Sequence, residues 1–203
     1  MNKKLVLFDL DGVLIDSKKN MMLSWLLVCK EYDLDISFDN YFAHIGRPFK
    51  EILEILGIKK NQKNIEITFN EESTKLIHLI NLYDDVKKLL KYLNDKKIKT
   101  GIVTSKNSNK TKKTLDLFDL SFNIVQSPNE TLRGKPCPDH ILYAMSNLNI
   151  KASETIYIGD MRVDFEAAKS AKVDYVHANW GYGECDSKNI IKLNNIYQLK
   201  DFV

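Results

Sequence analysis

The sequence contains few cysteines, and they form no recognisable framework. Cys29, Cys137 and Cys185 are odd in number and far apart along the chain. Neither a set of disulfides nor a zinc-binding spacing can be assembled from them. Because unpaired thiols are typical of a reducing compartment, we expect a cytoplasmic protein.

The sequence also lacks a long apolar run and a strong excess of one charge. Near the basic N-terminus the apolar run is interrupted by Asp9 and Asp11, which argues against a signal peptide or a membrane span. The net charge is only +3, and the lysines are spread along the chain. Nothing therefore requires a nucleic-acid partner, and nothing indicates the oligomeric state.

The composition that remains is that of an ordinary globular protein. The chain has 203 residues, of which 44% are hydrophobic and 28% are charged. This length suits one α/β domain, or one domain that carries a modest insertion.

The order of apolar patterns predicts the fold class. Residues 5–8 form a continuous apolar run, as in a strand buried on both faces. From residue 84 onward strands and helices alternate. The predicted strands are 98–103, 122–125, 155–158 and 173–176, the last of the sheet, and the predicted helices are 86–93, 110–118, one starting at Pro138, and 163–171. This alternation predicts a doubly wound, Rossmann-like parallel sheet with ligands at the carboxyl ends of its strands.

A long, largely helical stretch separates the first strand from this regular part. It is too long for a loop, so we interpret residues 17–82 as an inserted helical cap on a core formed by residues 1–16 and 83–203. Within the stretch, apolar side chains at helical spacing are predicted to pack in its interior. They are Met22, Trp25, Leu26 and Cys29.

The first candidate site residues follow the first predicted strand directly. Asp9 and Asp11 are alternate residues of an extended segment and can face one site, while Gly12 allows a sharp turn. Two close carboxylates repel each other unless a cation or a proton intervenes, and Mg²⁺ prefers such oxygen ligands. The alternative is that the aspartates cap a helix or begin a turn.

Further polar residues follow later strands or stiff turns. Thr104 and Ser105 directly follow the strand 98–103. Hydroxyl and N–H groups at this position can hold phosphate oxygens, or they can simply cap a helix. Lys135 lies in a turn stiffened by two prolines, and its charge can neutralise phosphate or remain on the surface.

Two more aspartates follow the strand 155–158. Asp160 stands at its end, and Asp164 comes back to the same side one helical turn later. They can form the second half of a metal site, or they can be acidic residues favoured by a helix dipole. All of these groups would meet at one edge of one sheet, and we therefore favour the functional interpretation.

At these residues the sequence resembles the haloacid dehalogenase superfamily, in its phosphoglycolate-phosphatase-like branch. Residues 9–17 resemble the first motif, Thr104 the second, Lys135 the third, and Asp160 with Asp164 the fourth. The helical insertion also follows the first motif, and residues 180–183 match less tightly. The resemblance covers nearly the whole chain and implies a core of that fold with a helical cap.

The resemblance implies a Mg²⁺-dependent phosphohydrolase for a small phosphorylated metabolite. Asp9 would attack phosphorus and become an aspartyl-phosphate, and Asp11 would protonate the leaving group and then activate water. Dehalogenases of the superfamily lack an acid at the second position, so Asp11 favours phosphate chemistry over dehalogenation. The implied Mg²⁺ ligands are Asp9, the Asp11 carbonyl, Asp160 and Asp164, and the implied phosphate-binding residues are Gly12, Thr104, Ser105 and Lys135.

Substrate choice is expected to lie in the cap, where residues 44–48 are the most suggestive segment. The Arg47 guanidinium beside Gly46 could bind a carboxylate or a second phosphate, or it could lie in a surface turn. Two other functions stay open. A sugar-phosphate mutase of the β-phosphoglucomutase type would use the same site, and a regulatory protein on this fold would bind a phosphorylated ligand without turnover.

Overall fold

The computed structural model describes residues 3–187 and 190–203 of the chain. Its strands are β1 (Leu5–Phe8), β2 (Ile15–Asp16), β3 (Asn81–Leu82), β4 (Lys99–Val103), β5 (Ile124–Gln126), β6 (Thr155–Gly159), β7 (Asp174–Ala178) and β8 (Ile191–Leu193). Six of them form one parallel sheet in the order β5-β4-β1-β6-β7-β8, and β2 and β3 pair separately as an antiparallel ribbon. The predicted parallel sheet is therefore confirmed.

The helices lie in the predicted regions. They are α1 (Lys18–Tyr32), α2 (Phe38–Phe42), α3 (Phe49–Ile55), α4 (Gln62–Lys75), α5 (Val86–Asp95), α6 (Ser108–Phe118), α7 (Asp139–Leu148) and α8 (Arg162–Ala171), with short 3₁₀ segments at Ile77–Leu79, Ala152–Glu154 and Ile196–Phe202. None of the helices within the described residues has the length and apolarity that a bilayer span requires.

Strand β1 lies at the centre of the sheet because all four of its side chains are apolar. Their exposure is 0%, and they alternate between the two faces. Val6 and Phe8 pack in a cluster with residues of α5 and α6, whereas Leu5 and Leu7 pack in a second cluster with residues of α7 and α8. Strand β1 pairs with β4 on one side and β6 on the other, so the carboxyl ends of these three strands meet at the switch point of the sheet.

A third apolar cluster belongs to α1–α4 and the turns between them. At its centre the rings of Trp25 and Tyr41 stack with centroids 4.5 Å apart. Met161 and Tyr182, which follow β6 and β7, pack against this cluster and connect it to the sheet edge. The ribbon of β2 and β3 stands where the chain enters and leaves this helical part, and the cap boundaries at residues 17 and 82 remain a prediction.

Two expectations about packing and strand number were wrong. Strand β7 is not the last of the sheet, since β8 adds an edge strand of three residues whose Ile191 is 37% exposed. Of the side chains predicted to pack in α1, Trp25 is buried and Cys29 packs against the third cluster, but Leu26 is 51% exposed, and Met21 and Val28 are buried in addition. The sequence of α1 is apolar around much of its circumference, so its spacing did not define one face.

Truncation of a core leucine should show how much the packing of α5 against the sheet contributes to the free energy of unfolding. Leu89 in α5 has no exposed surface, and Leu142 in α7 is 44% exposed. We expect Leu89→Ala to lower the free energy of unfolding by about 2–5 kcal/mol, because it leaves a cavity against the sheet. Leu142→Ala, the same change on an exposed helix position, should alter it by less than about 0.5 kcal/mol. Urea denaturation measures both, and equal losses would contradict this packing.

Candidate active site

Three of the candidate residues stand directly after neighbouring parallel strands. Asp9 follows β1, Thr104 follows β4 and Asp160 follows β6. The N–H of Asp9 donates to the carbonyl of Ile158 at 2.9 Å, and the N–H of Thr104 donates to the carbonyl of Gln126 at 3.0 Å. Sheet pairing thus fixes the backbone of Asp9 and Thr104, and the structure brings all three residues together at the predicted edge.

Lys135 crosses this edge from the loop before α7. Its Nζ lies 2.9 Å from Asp9 Oδ2 and 2.7 Å from Asp164 Oδ1, and its side chain is 2% exposed. Burial alone would lower the pKa of the Lys135 ammonium, but the two carboxylates hold that pKa above its ordinary value. Lys135 is therefore a fixed cation between the first and fourth candidate segments.

Asp164 supports the site through both of its carboxylate oxygens. Oδ1 accepts from Lys135 and from the Tyr157 hydroxyl at 3.0 Å, and Oδ2 accepts from the N–H groups of Asp160 at 3.2 Å and Met161 at 3.0 Å. These bonds satisfy N–H groups at the start of α8. They favour a role in which Asp164 orients the residues around it.

The carboxylates of Asp9, Asp160 and Asp164 form a buried group that could hold a cation. One oxygen of each lies within 4.8 Å of the others. Burial and the charges of Asp164 and Asp9 raise the pKa of Asp160 well above its usual range, and Asp160 Oδ1 is buried without a hydrogen-bond partner among the described residues. Burial also raises the pKa of Asp9 to about 7, although Lys135 opposes this change. Carboxylate oxygens in such an environment fit a hard divalent cation.

Two glycines make the room in which the Asp160 carboxylate lies. A Cβ on Gly12 would stand 2.1 Å from Asp160 Oδ2, and a Cβ on Gly181 would stand 2.2 Å from Asp160 Cβ. The backbone N–H of Tyr182 donates to Asp160 Oδ2 at 2.7 Å. The N–H of Gly12 donates to the Ile15 carbonyl at 2.9 Å, so Gly12 contributes chiefly by having no side chain.

Asp11 belongs to the same cavity, although its carboxylate has other partners. Its Oδ1 accepts from Lys106 Nζ at 2.7 Å and from the Ser17 hydroxyl. Burial works to raise the pKa of Asp11, but the Lys106 ammonium and the Ser17 hydrogen bond lower it overall. The structure therefore separates Asp11, paired with Lys106, from the carboxylates grouped around Lys135.

The remaining candidates line a cavity of about 790 Å³ between the sheet edge and the helical part. Thr104 Oγ1 accepts from the N–H of Lys106 at 3.2 Å, and the Ser105 hydroxyl donates to the Gly46 carbonyl at 2.6 Å. Arg47 is half-buried and lines the same cavity as Asp9 and Asp11. The volume suits a small molecule.

Sequence reasoning missed two lysines of this cavity, Lys106 and Lys110. Lys106 has a side chain that is 5% exposed, and Lys110 in α6 is 8% exposed. Both belong to a lysine-rich stretch, and such a stretch is typical of a solvent-exposed surface. A usable signal was the helical spacing, because Lys110 precedes the buried Thr114 by one turn.

Comparison with known proteins gives a consistent result for the whole chain. The family model described as haloacid dehalogenase-like hydrolase matches residues 6–178. A phosphoglycolate phosphatase of Aquifex aeolicus is 30% identical over 98% of this chain and 91% of its own length. A pyrophosphatase, PpaX, of Anoxybacillus flavithermus is 29% identical over 89% of this chain and 85% of its own length.

Solved structures show the same architecture. The crystal structure of a hydrolase from Pseudomonas syringae superposes with a TM-score of 0.89 at 22% identity, over 98% of this chain and 97% of the other. At this identity the likeness supports the fold alone.

Filling the space beside Asp160 should disable the site. Gly12 and Gly57 both have positive φ, 82° and 76°, so alanine should strain each backbone by a similar amount, about 1–2 kcal/mol. A Cβ at Gly57 would meet nothing within 4 Å, whereas one at Gly12 would displace the Asp160 carboxylate. We expect Gly12→Ala to slow hydrolysis of p-nitrophenyl phosphate about 100-fold, and Gly57→Ala to leave it nearly unchanged. Equal rates in the two variants would contradict this geometry.

Proposed function

We propose that this chain, which belongs to the haloacid dehalogenase-like hydrolases, is a Mg²⁺-dependent phosphatase for a small phosphate monoester. The observation that carries the proposal is the position of Asp9, which is buried at the sheet edge and bound by Lys135 at 2.9 Å. The phosphatase names of relatives that match nearly the whole chain support the same reaction class.

Asp9 is suited to act as the nucleophile because both of its oxygens are held. Oδ1 accepts from the N–H of Leu10 at 2.8 Å, and Oδ2 faces the Lys135 ammonium. In the first step an Asp9 oxygen attacks phosphorus while the bond from phosphorus to the ester oxygen breaks. The product is an aspartyl-phosphate, and the leaving oxygen takes a proton from Asp11.

Asp11 then acts as the base of the second step. It removes a proton from water, the resulting hydroxide attacks phosphorus, and the bond to Asp9 breaks to return the carboxylate. Lys106 lowers the pKa of Asp11 by its charge and hydrogen bond, which suits this base role. Proton donation in the first step requires Lys106 to release Asp11, and the oxygens of an incoming phosphate offer Lys106 an alternative partner.

The carboxylates of Asp9 and Asp160 and the carbonyl of Asp11 are the groups that we assign to Mg²⁺, with Asp164 supporting through water. The bound ion would screen the repulsion between the carboxylate of Asp9 and the anionic phosphate. The unpartnered Asp160 Oδ1 and the grouping of carboxylate oxygens within 4.8 Å support this assignment.

Phosphoryl oxygens are assigned to Thr104, Ser105 and Lys135, which meet Asp9 at the same edge. Lys135 supplies a fixed charge, and Thr104 supplies a hydroxyl at a strand end. The relatives' names include a phosphoglycolate phosphatase and a pyrophosphatase, so both compounds are reasonable first substrates to test. Arg47, in the wall of the cavity, is the residue of the cap segment 44–48 that we propose contacts the rest of the substrate.

Replacement of the nucleophile should abolish turnover. We expect Asp9→Asn to lower the rate of phosphate release at least about 1,000-fold, because the amide cannot form the acyl phosphate. Asp95→Asn, the same change on the exposed end of α5, should keep the wild-type rate. Phosphate release from phosphoglycolate and pyrophosphate with Mg²⁺ measures both. Similar activity of the two variants would exclude Asp9 as nucleophile, and turnover of sugar phosphates without net phosphate release would indicate a mutase.

Replacement of Asp160 should change how the protein responds to Mg²⁺. We expect Asp160→Asn to be at least as heat-stable as the wild type without metal, because it removes one of several repelling buried carboxylates. Mg²⁺ should raise the melting temperature of the wild type and raise that of the variant much less, since binding to the native state stabilises it. Thermal scans with EDTA and with Mg²⁺ measure both effects. An equal rise in both proteins would place the ion elsewhere.

A further inference from the structure

Lys110 is a buried cation that the proposed reaction does not use. It lies in the first turn of α6 and is 8% exposed. It lines the cavity that is also lined by Asp9 and Asp11. Its Nζ lies 4.5 Å from the centroid of the Phe69 ring, which belongs to α4. Lys110 therefore sits where the sheet-edge side of the cavity meets the helical side.

The ammonium of Lys110 has no polar partner in the part of the chain that the structure describes. It makes no hydrogen bond there, and no carboxylate lies within 4.0 Å of it, although Glu66 lines the same cavity. Its neighbour Lys106 is already paired with Asp11 at 2.7 Å. Among the described residues, the face of the Phe69 ring is the close favourable contact of this charge, and the carboxylates of Asp11 and Glu66 attract it from farther away.

A largely buried ammonium that faces a cavity without a protein partner is costly, and the pKa of Lys110 reflects that cost. Burial and the charge of Lys106 lower the pKa of Lys110 to about 7, although Asp11 and Glu66 oppose the change. An anion bound in the cavity would raise the pKa of Lys110 again, because it would give the ammonium a partner inside a site of low dielectric. A methionine could fill the same space against Phe69 without this cost, so packing alone does not explain a lysine here.

We propose that Lys110 binds a second anionic group of the substrate, so that the cavity selects small phosphate esters that also carry a carboxylate or another phosphate. This inference rests on the proposed function for the first phosphoryl group. It assigns Lys110, on the sheet side of the cavity, as a specificity residue distinct from Arg47. The two anions of one substrate would be divided between Lys135 at the reaction centre and Lys110 farther along the cavity wall.

Binding of phosphonates tests this inference without requiring turnover. The matched pair is 3-phosphonopropionate and propylphosphonate, which differ in a carboxylate against a methyl group, and methylenediphosphonate adds a second phosphorus group. Calorimetry in saturating Mg²⁺ compares the wild type with Lys110→Met, which keeps the packing on Phe69, and with Lys110→Arg, which keeps the charge. Lys113→Met, the same change at an exposed position of α6, is the control.

We expect the wild type to bind 3-phosphonopropionate or methylenediphosphonate about 10-fold or more tightly than propylphosphonate. Lys110→Met should remove that difference and leave propylphosphonate binding within about twofold, Lys110→Arg should restore part of it, and Lys113→Met should match the wild type. If 3-phosphonopropionate binds more tightly than propylphosphonate, the second group is a carboxylate, and if methylenediphosphonate does so, it is a phosphate. Equal wild-type affinities for all three ligands, or an equal loss for all three in Lys110→Met, would overturn the inference.

The rate of phosphate release separates this inference from the proposed function. If the wild type hydrolyses phosphoglycolate, pyrophosphate and ethyl phosphate at equal kcat/KM, Lys110 selects nothing, although the phosphatase assignment stands. If the wild type releases no phosphate from any ester, the proposed function fails, and the phosphonate affinities still decide whether Lys110 binds an anion.

Discussion

The ion pairs of Lys135 with Asp9 and Asp164 are the interaction on which the site depends. One buried ammonium lies within 2.9 Å of both carboxylates. Asp164 in turn accepts from the backbone at the start of α8 and from the hydroxyl of Tyr157, whose oxygen also lies 3.1 Å from the Val103 carbonyl of β4. The ends of three strands are thereby connected through one cation. Its removal would leave buried carboxylates uncompensated, which is strongly destabilising in protein interiors.

In the proposed mechanism, the same group of charges prepares the site for phosphoryl transfer and also holds the strand ends together. Lys135 neutralises part of the negative charge of Asp9, Asp160 and Asp164, and Asp160 keeps one oxygen without a partner among the described residues. The parallel sheet provides the rigidity, because β1, β4 and β6 are each paired on both sides. The function that we propose would use this uncompensated negative charge, which the large apolar clusters on both faces of the sheet surround.

Sequence patterns predicted the sheet and the residues at its carboxyl edge, since Asp9, Thr104 and Asp160 each follow an apolar run that only a buried strand explains. They did not predict β8, because a three-residue edge strand has no apolar run of its own. They also missed Lys110. In a stretch with several lysines, helical spacing marks Lys110 only as a candidate for burial, because its burial also depends on Phe69 of α4, which lies far away in the chain.

The ribbon of β2 and β3 has a consequence for how such a protein can diversify. Ile15 pairs with Leu82 and Asp16 with Asn81, so the two points at which the chain leaves and re-enters the sheet layer are adjacent. The chain of the intervening segment therefore joins the sheet layer at only two adjacent points, although side chains such as Met161 and Tyr182 also pack against its helices. Because closing a longer loop between fixed ends adds little entropic cost, these two connections place little restriction on the length of the intervening segment, and its side-chain contacts with the sheet edge restrict it more.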